Sequence, residues 1–257
     1  MTLHQRVVRD RFDAVLFDLD GVLTATARLH SACWKGMFDE YLSKRAEEAG
    51  EPFQPFEIAT DYKRYVDGKL RYDGVQSFLG SRGIDLPFGD PNDPPDRETV
   101  CGLGNRKNEL IGELLDTEGV DVYEQSVAWV RQLRDEGFAL AVVSASKNCA
   151  RVLRAAAIDD LFDFRVDGVV AAELGLAGKP APDTFLEGAR RLGVDPERTV
   201  VVEDAVSGVQ AGRAGGFGLV IGVDRTGDPE ALRAGGADFV VGDLDELLDQ
   251  EGGHDRA

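Results

Sequence analysis

The stretch FDLDGVLTATARLH, residues 17–30, follows directly on the apolar run AVLF at 14–17. It places two carboxylates, Asp18 and Asp20, one residue apart where a buried strand should emerge. Five further runs of the same kind recur along the chain: FALAVVS (138–144), FRVDGVV (164–170), TVVVE (199–203), LVIGV (219–223) and DFVV (238–241). They are short and rich in β-branched residues, and they do not alternate strictly, which predicts strands covered on both faces. Helical patterns lie between them: Trp129, Val130 and Leu133 share one face, and Phe185, Leu186, Ala189 and Leu192 another. Strand and helix alternation predicts an α/β fold, a parallel Rossmann-like sheet with helices on both sides.

About 120 residues separate the first run from the second, far more than one crossover helix needs. An insertion is expected there. Leu29, Cys33, Trp34, Met37, Phe38, Tyr41 and Leu42 predict an amphipathic helix over 28–48, with Cys33 and Trp34 on its core side. Leu103, Leu110, Ile111, Leu114 and Leu115 predict a second helix, and PFGDPNDPPD (87–96) is a breaker-rich loop between the two. The division expected is an α/β core of residues 1–27 and 119–257, with an inserted α-helical cap at 28–118. The tail EGGHDRA is expected to fray.

The chain has 257 residues, 47 of them acidic against 29 basic, for a net charge of −18. That balance argues against a nucleic-acid backbone as partner and directs attention to small molecules. Three scattered cysteines, Cys33, Cys101 and Cys149, suit a reducing cytosol better than a disulfide framework. With a charged N-terminus and no apolar run near 18 residues, a soluble cytoplasmic protein without membrane contact is expected. A monomer is the expectation, because no long apolar face is left unassigned.

In an open parallel sheet, ligands bind beyond the carboxyl ends of the strands. Asp18 and Asp20 end the first run, Ser144 the second, and Glu203 and Asp204 the fourth. Lys179 lies in LGLAGKPAPDTF, ahead of a helix starting near Pro182. Carboxylates so close need a counter-charge, since two like charges about 4 Å apart repel by roughly 4 kcal/mol at an effective dielectric near 20. Hard oxygen donors favour Mg²⁺. An Asp beside Mg²⁺ and Lys179 is suited to attack phosphorus and form an aspartyl phosphate. Each residue also has a plainer use: Ser144 can simply end a strand, Glu203 and Asp204 can cap the next helix, and Lys179 can be a loop lysine.

Other signatures fail. GLGNRK (102–107) lacks the third glycine of a dinucleotide fingerprint, and AGKP lacks the hydroxyl residue that follows a Walker lysine. The three histidines, His4, His30 and His254, are unaccompanied by a G-x-S-x-G elbow.

Four segments in order, DLDGVLT (18–24), VVSAS (142–146), GKPAPDTF (178–185) and VVEDAVSGVQAG (201–212), resemble the motifs of the haloacid dehalogenase superfamily of phosphotransferases. The resemblance implies that Asp18 is the nucleophile and Asp20 the general acid/base. It implies that Asp18, the Asp20 backbone carbonyl, Glu203 and Asp204 hold Mg²⁺, and that Ser144 and Lys179 bind the transferring phosphoryl group.

Within that superfamily the DGVLTATARLH opening and the segment SASKN (144–148) resemble the β-phosphoglucomutase-like subfamily. A mutase that works through a bisphosphate needs a second anion site. Lys63, Arg64, Lys69, Arg71, Arg106 and Lys107 concentrate in the insert, although such charges usually form a solvated face. Lys147, Asn148 and neighbouring N–H groups could form an anion-binding nest at a helix start. By resemblance, Arg71 with Ser146, Lys147 and Asn148 holds the non-transferring phosphate, Lys107 reaches in from the cap, and Thr26 and His30 sit at the hinge near Asp20. The family usually carries Thr-Asp-Thr where this chain has Thr24, Ala25 and Thr26, so hinge hydrogen bonding is expected to differ.

The resemblance implies interconversion of β-D-glucose 1-phosphate and glucose 6-phosphate, with glucose 1,6-bisphosphate as intermediate and activator and a small phosphorylated sugar as partner. A sugar-phosphate phosphatase is the alternative. A non-catalytic phosphosugar-binding protein is a third reading, which would not need a nucleophile.

Overall fold

A computed structural model describes residues 7–248; the tail from 251 onward, and His4 and His254, lie outside that range. Six parallel strands form one sheet: β1 (Ala14–Phe17), β2 (Ala139–Val143), β3 (Phe164–Val166), β4 (Thr199–Glu203), β5 (Leu219–Val223) and β6 (Phe239–Val241). Their spatial order is β3-β2-β1-β4-β5-β6. The central strand β1 therefore pairs with both β2 and β4, placing Phe17 beside Val142 and Val202. Chain order reverses between β1 and β4, and a crevice opens above such a reversal.

Both faces of the sheet are buried, so the strand sequences need no polar alternation. On one face Val15 and Phe17 pack with Trp129, Val130 and Leu133 of α4 (Glu124–Asp135) and with Val152 and Leu153 of α5 (Cys149–Ala155). The Phe17 and Trp129 rings meet edge to face at 5.6 Å, a geometry worth about 0.5–1.5 kcal/mol beyond the area it buries. On the other face Leu16 and Val143 pack with Phe185 and Ala189 of α7 (Asp183–Leu192) and Val209 of α8 (Val206–Ala214).

The run at 164–170 departs from the expected single strand. Only Phe164–Val166 pairs; Asp167 then caps a short helix, α6 (Gly168–Leu174), its side chain accepting from the Val169 and Val170 N–H groups. Two satisfied amide donors outweigh the weak strand preference of two valines. One more helix, α9 (Pro229–Gly235), joins β5 to β6.

Between β1 and α4 the chain is helical: α1 (Ala27–Ala49), a π-helical segment (Ile58–Val66), α2 (Arg71–Ser81) and α3 (Val100–Glu118). They enclose a separate apolar cluster around Trp34, Met37, Phe38, Phe56 and Phe78. Phe38 is at its centre, 4.3 Å from the Phe78 ring and 5.2 Å from Phe56. Helices α1 and α3 each span two clusters. Leu29 and Cys33 near the start of α1, and Ile111 and Leu115 near the end of α3, pack with the sheet's cluster. Trp34 to Leu42, with Val100 and Leu103, pack within the helical body. No helix of the described residues is long and apolar enough to cross a membrane.

Candidate active site

The crevice above β1 and β4 is closed from the other side by the helical body, leaving a cleft of about 60 Å³. The Ser207 hydroxyl of the core donates to the Asp67 carbonyl of the helical body at 2.8 Å, so the body seen here is seated on the core.

The floor is built from strand ends. Asp18 follows β1 and accepts from the Lys179 Nζ at 2.5 Å. Lys179 also donates to Glu203 Oε1 and, at 3.2 Å, to the Val143 carbonyl. The second Glu203 oxygen accepts from the Ala205 N–H at 3.0 Å. Lys179 is 3% exposed and Glu203 fully buried, so this ammonium is the direct counter-charge of both carboxylates. Burial disfavours the ammonium, but Asp18 and Glu203 more than offset that and raise its pKa.

One lysine is not enough for the carboxylates gathered there. Oxygens of Asp18, Glu203 and Asp204 lie within 4.8 Å of one another. Burial pushes Asp18 up to about 6 and Glu203 up to about 7, in each case against the lowering effect of Lys179. Asp204 is raised by burial, then by the charges of Asp67 and Glu203. Gly21, at φ +95°, makes the close approach possible, since a Cβ there would collide with the Asp204 carboxylate. A cluster of hard, buried oxygens short of positive charge fits a divalent cation such as Mg²⁺.

Asp20 stands apart from that cluster's ion pairs. Its Oδ1 accepts from the Thr26 hydroxyl and its Oδ2 from the Ser144 hydroxyl at 3.4 Å. Burial is the main reason its pKa is raised. His30 Nε2 lies 3.5 Å from Asp20 Oδ1, without hydrogen-bond geometry, while Nδ1 is 2.7 Å from Lys107 Nζ. Burial, then Lys107, holds the His30 pKa well below its ordinary value, so the imidazole is neutral and Nδ1 accepts from the ammonium. Burial also pulls Lys107 down to about 8.

The hinge difference at Ala25 has a visible substitute. Thr24 and Thr26 hydroxyls are 2.8 Å apart, Thr24 donates to the Leu19 carbonyl at 3.2 Å, and the Ala25 N–H donates to the Asp121 carbonyl at 2.9 Å. Two threonines and the backbone thus hold the turn.

Part of the cleft lining is cationic. Arg71, Ser146, Lys147 and Asn148 form it together with Lys69. Arg71 and Lys147 both lie over the Tyr72 ring, at 5.0 and 5.3 Å. Arg71 Nε is buried with no hydrogen-bond partner, and the Lys147 pKa is lowered by burial and by Arg71. Two cations on one ring and a buried guanidinium N–H without a partner are the kind of groups that could hold an anion. The nest is partly self-satisfied, because the Ser146 N–H donates to Ser144 Oγ and the Asn148 N–H to Ser146 Oγ, both at 3.1 Å. Side-chain cations therefore dominate that part of the lining.

Of the site residues expected from the sequence, Asp18, Asp20, His30, Arg71, Lys107, Ser146, Lys147, Asn148 and Asp204 line one cleft; Thr26 and Ser144 bond Asp20, and Lys179 bonds Asp18 and Glu203. Of the other basic residues, Lys63 and Arg64 are exposed and Arg106 pairs with Glu40 and Glu109 on the outer face. Trp34, expected as core alone, also lines the cleft, with Lys107 Nζ 5.1 Å from its ring. Among the cleft residues missed by sequence reasoning are Asp67 and Tyr62. Tyr62 hydrogen-bonds the Asp67 side chain, and burial with the Glu203 charge pushes Asp67 up to about 7. The only sequence signal for Asp67 was an acid set among basic residues.

Comparison with known proteins identifies the family. A family model for haloacid dehalogenase-like hydrolases matches residues 12–216. The chain is 52% identical over 242 residues to a β-phosphoglucomutase of Mycobacterium bovis, covering 93% of this chain and 92% of that protein. It is 30% identical over 234 residues to a β-phosphoglucomutase of Bacillus subtilis, covering 91% of each. A crystal structure of β-phosphoglucomutase from Clostridium difficile superposes with a TM-score of 0.72 at 25% identity, covering 93% of this chain and 94% of that one.

Proposed function

Because the chain belongs to the haloacid dehalogenase-like hydrolase family, in its β-phosphoglucomutase-like branch, we propose that it is a phosphosugar mutase interconverting β-D-glucose 1-phosphate and glucose 6-phosphate. The observation that supports this reading is that one cleft is lined both by the nucleophile-bearing acids Asp18, Asp20 and Asp204 and by the cations Arg71 and Lys147. A bisphosphate intermediate needs both groups at once.

Asp18 is the nucleophile. Held by Lys179, its carboxylate oxygen bonds to phosphorus as the bond from phosphorus to the sugar oxygen breaks, giving an aspartyl phosphate. Asp20 moves the proton, accepting it from the sugar hydroxyl when that hydroxyl takes the phosphoryl group and returning it in the reverse step. Thr26 and Ser144 aim its two oxygens, and its raised pKa suits a group that must hold and release a proton. Arg71, Lys147, Ser146 and Asn148 hold the phosphate that is not reacting, so glucose 1,6-bisphosphate can turn end for end between the two sites. Asp18, the Asp20 carbonyl, Glu203 and Asp204 would hold Mg²⁺, which when bound neutralises charge on the transferring phosphoryl group. The seated helical body excludes water, which would otherwise hydrolyse the aspartyl phosphate.

The test is glucose 6-phosphate formation set against phosphate release, with Mg²⁺ and glucose 1,6-bisphosphate present and both glucose 1-phosphate anomers tried. Isomerisation outpacing release is the expected result; rapid release without isomerisation would make the protein a sugar-phosphate phosphatase.

A further inference from the structure

The π-helical segment ends in the turn Asp67-Gly68-Lys69, and that turn rests on the first residues of α8. The Ser207 hydroxyl donates to the Asp67 carbonyl at 2.8 Å. Gly68 has φ +69°; a Cβ there would collide with the Ser207 hydroxyl and lie 3.2 Å from the Ala205 Cβ. Ala205 and Ser207 directly follow the acidic pair Glu203 and Asp204. Seating this turn therefore carries the Asp67 carboxylate into the cleft with Asp18, Asp20 and Asp204. The Glu203 charge acts on Asp67, and Asp67 acts on Asp204.

Little offsets that approach. Tyr62 gives Asp67 a hydrogen bond, Lys179 is already shared by Asp18 and Glu203, and Lys63 is exposed. The seated body thus adds a further negative group to a cluster that lacks positive charge. With a divalent cation among the core carboxylates, the same approach becomes attractive.

We propose that Asp67 makes seating of the helical body depend on the bound cation: the carboxylate holds the body off the metal-free core and draws it down once the cation is in place. This rests on the metal site of the proposed function. It assigns Asp67 a positioning role and gives Mg²⁺ a task besides phosphoryl chemistry. The coupling is reciprocal, so a seated body tightens cation binding by the factor by which the cation favours seating.

Amide hydrogen exchange of residues 66–70 and 205–208 in the whole protein reads the contact without turnover. In the wild type, going from chelator to saturating Mg²⁺ should slow exchange of both segments about tenfold. In Asp67→Asn both should already be protected in chelator and change less than about twofold with Mg²⁺. Its Mg²⁺ affinity by calorimetry should be several-fold weaker, and Asp67→Glu should restore the Mg²⁺ response. Mg²⁺ that binds the wild type yet leaves both segments unchanged, or an Asp67→Asn response equal to wild type, would overturn the role of Asp67 alone. Failure of the wild type to bind Mg²⁺ would instead remove the metal from the proposed function, and this coupling with it.

Discussion

Replacing Lys179 by Met keeps length and apolar bulk while removing the ammonium that Asp18 and Glu203 share. The lysine is 3% exposed and bonds both carboxylates and the Val143 carbonyl. Removing one partner of a buried ion pair costs about 3–5 kcal/mol, because the remaining charge is stranded. Here two carboxylates are stranded, and proton uptake by one of them limits the loss. With about 2–4 °C of melting temperature per kcal/mol for a protein of this size, Lys179→Met should melt about 6–20 °C below wild type at pH 8 in chelator. At pH 5 both carboxyls, with pKa values of about 6 and about 7 in the wild type, are largely neutral and the gap should narrow. Scanning calorimetry at the two pH values measures it. A melting temperature within about 2 °C of wild type at pH 8 would refute the assignment of Lys179 as the counter-charge.

Three further outcomes are expected. Thr26→Val removes the donor that fixes Asp20 Oδ1; a hydrogen bond to a charged group is worth about 1.5–3 kcal/mol, so kcat should fall about tenfold to a hundredfold with little change in KM, and an unchanged kcat would count against Asp20 as proton carrier. Arg71→Met should lower isomerisation by about thirtyfold or more, the cost of truncating one partner of a buried charge contact, yet leave hydrolysis of a small aryl phosphate nearly intact; equal losses would mean Arg71 does not serve the second phosphate. Metal-free protein should lose thermal stability from pH 5 to pH 8. The carboxyls of Asp18 and Glu203 sit above their ordinary values, at about 6 and about 7, so the folded state holds protons the unfolded chain has released, and that advantage disappears as pH passes 6 to 7. Glu187, pulled down to about 2 by Arg190 and Arg191, has completed its opposite contribution below pH 5, and His30, held neutral in the fold, offsets only part of the loss as the unfolded imidazole gives up its proton over the same interval. Mg²⁺ should flatten the slope, and a melting temperature in chelator that rises over this interval would contradict the carboxylate account.

The acidic part of the cleft was legible because strand ends obey a rule. A parallel strand buried on both faces can be read from its apolar run, and the residue that follows it must surface at one edge of the sheet; Asp18, Ser144, Glu203 and Asp204 were found that way. The helical body has no such rule. Its π-helical segment does not repeat at 3.6 residues, so the placement of Tyr62 beside Asp67 left no periodic trace, and Asp67 looked like one charge among many in a solvated stretch. Trp34 was read correctly as apolar-facing, but periodicity cannot say that one edge of a buried ring borders a ligand cleft. Asp167 shows the opposite error, where valines that look like strand become helix because a carboxylate supplies the cap.

Helix α1 starts at Ala27, immediately after the threonine that grips Asp20, and carries His30 on its first turn and Trp34 on its second. Lys107 reaches across from α3 to the same imidazole. The proposed proton carrier is therefore tethered to the start of α1. An outward swing of α1 would loosen Thr26 from Asp20 and carry the His30 and Lys107 pair away with it, so an opened cleft would be disarmed as well as accessible, and water entering it would meet a mispositioned base.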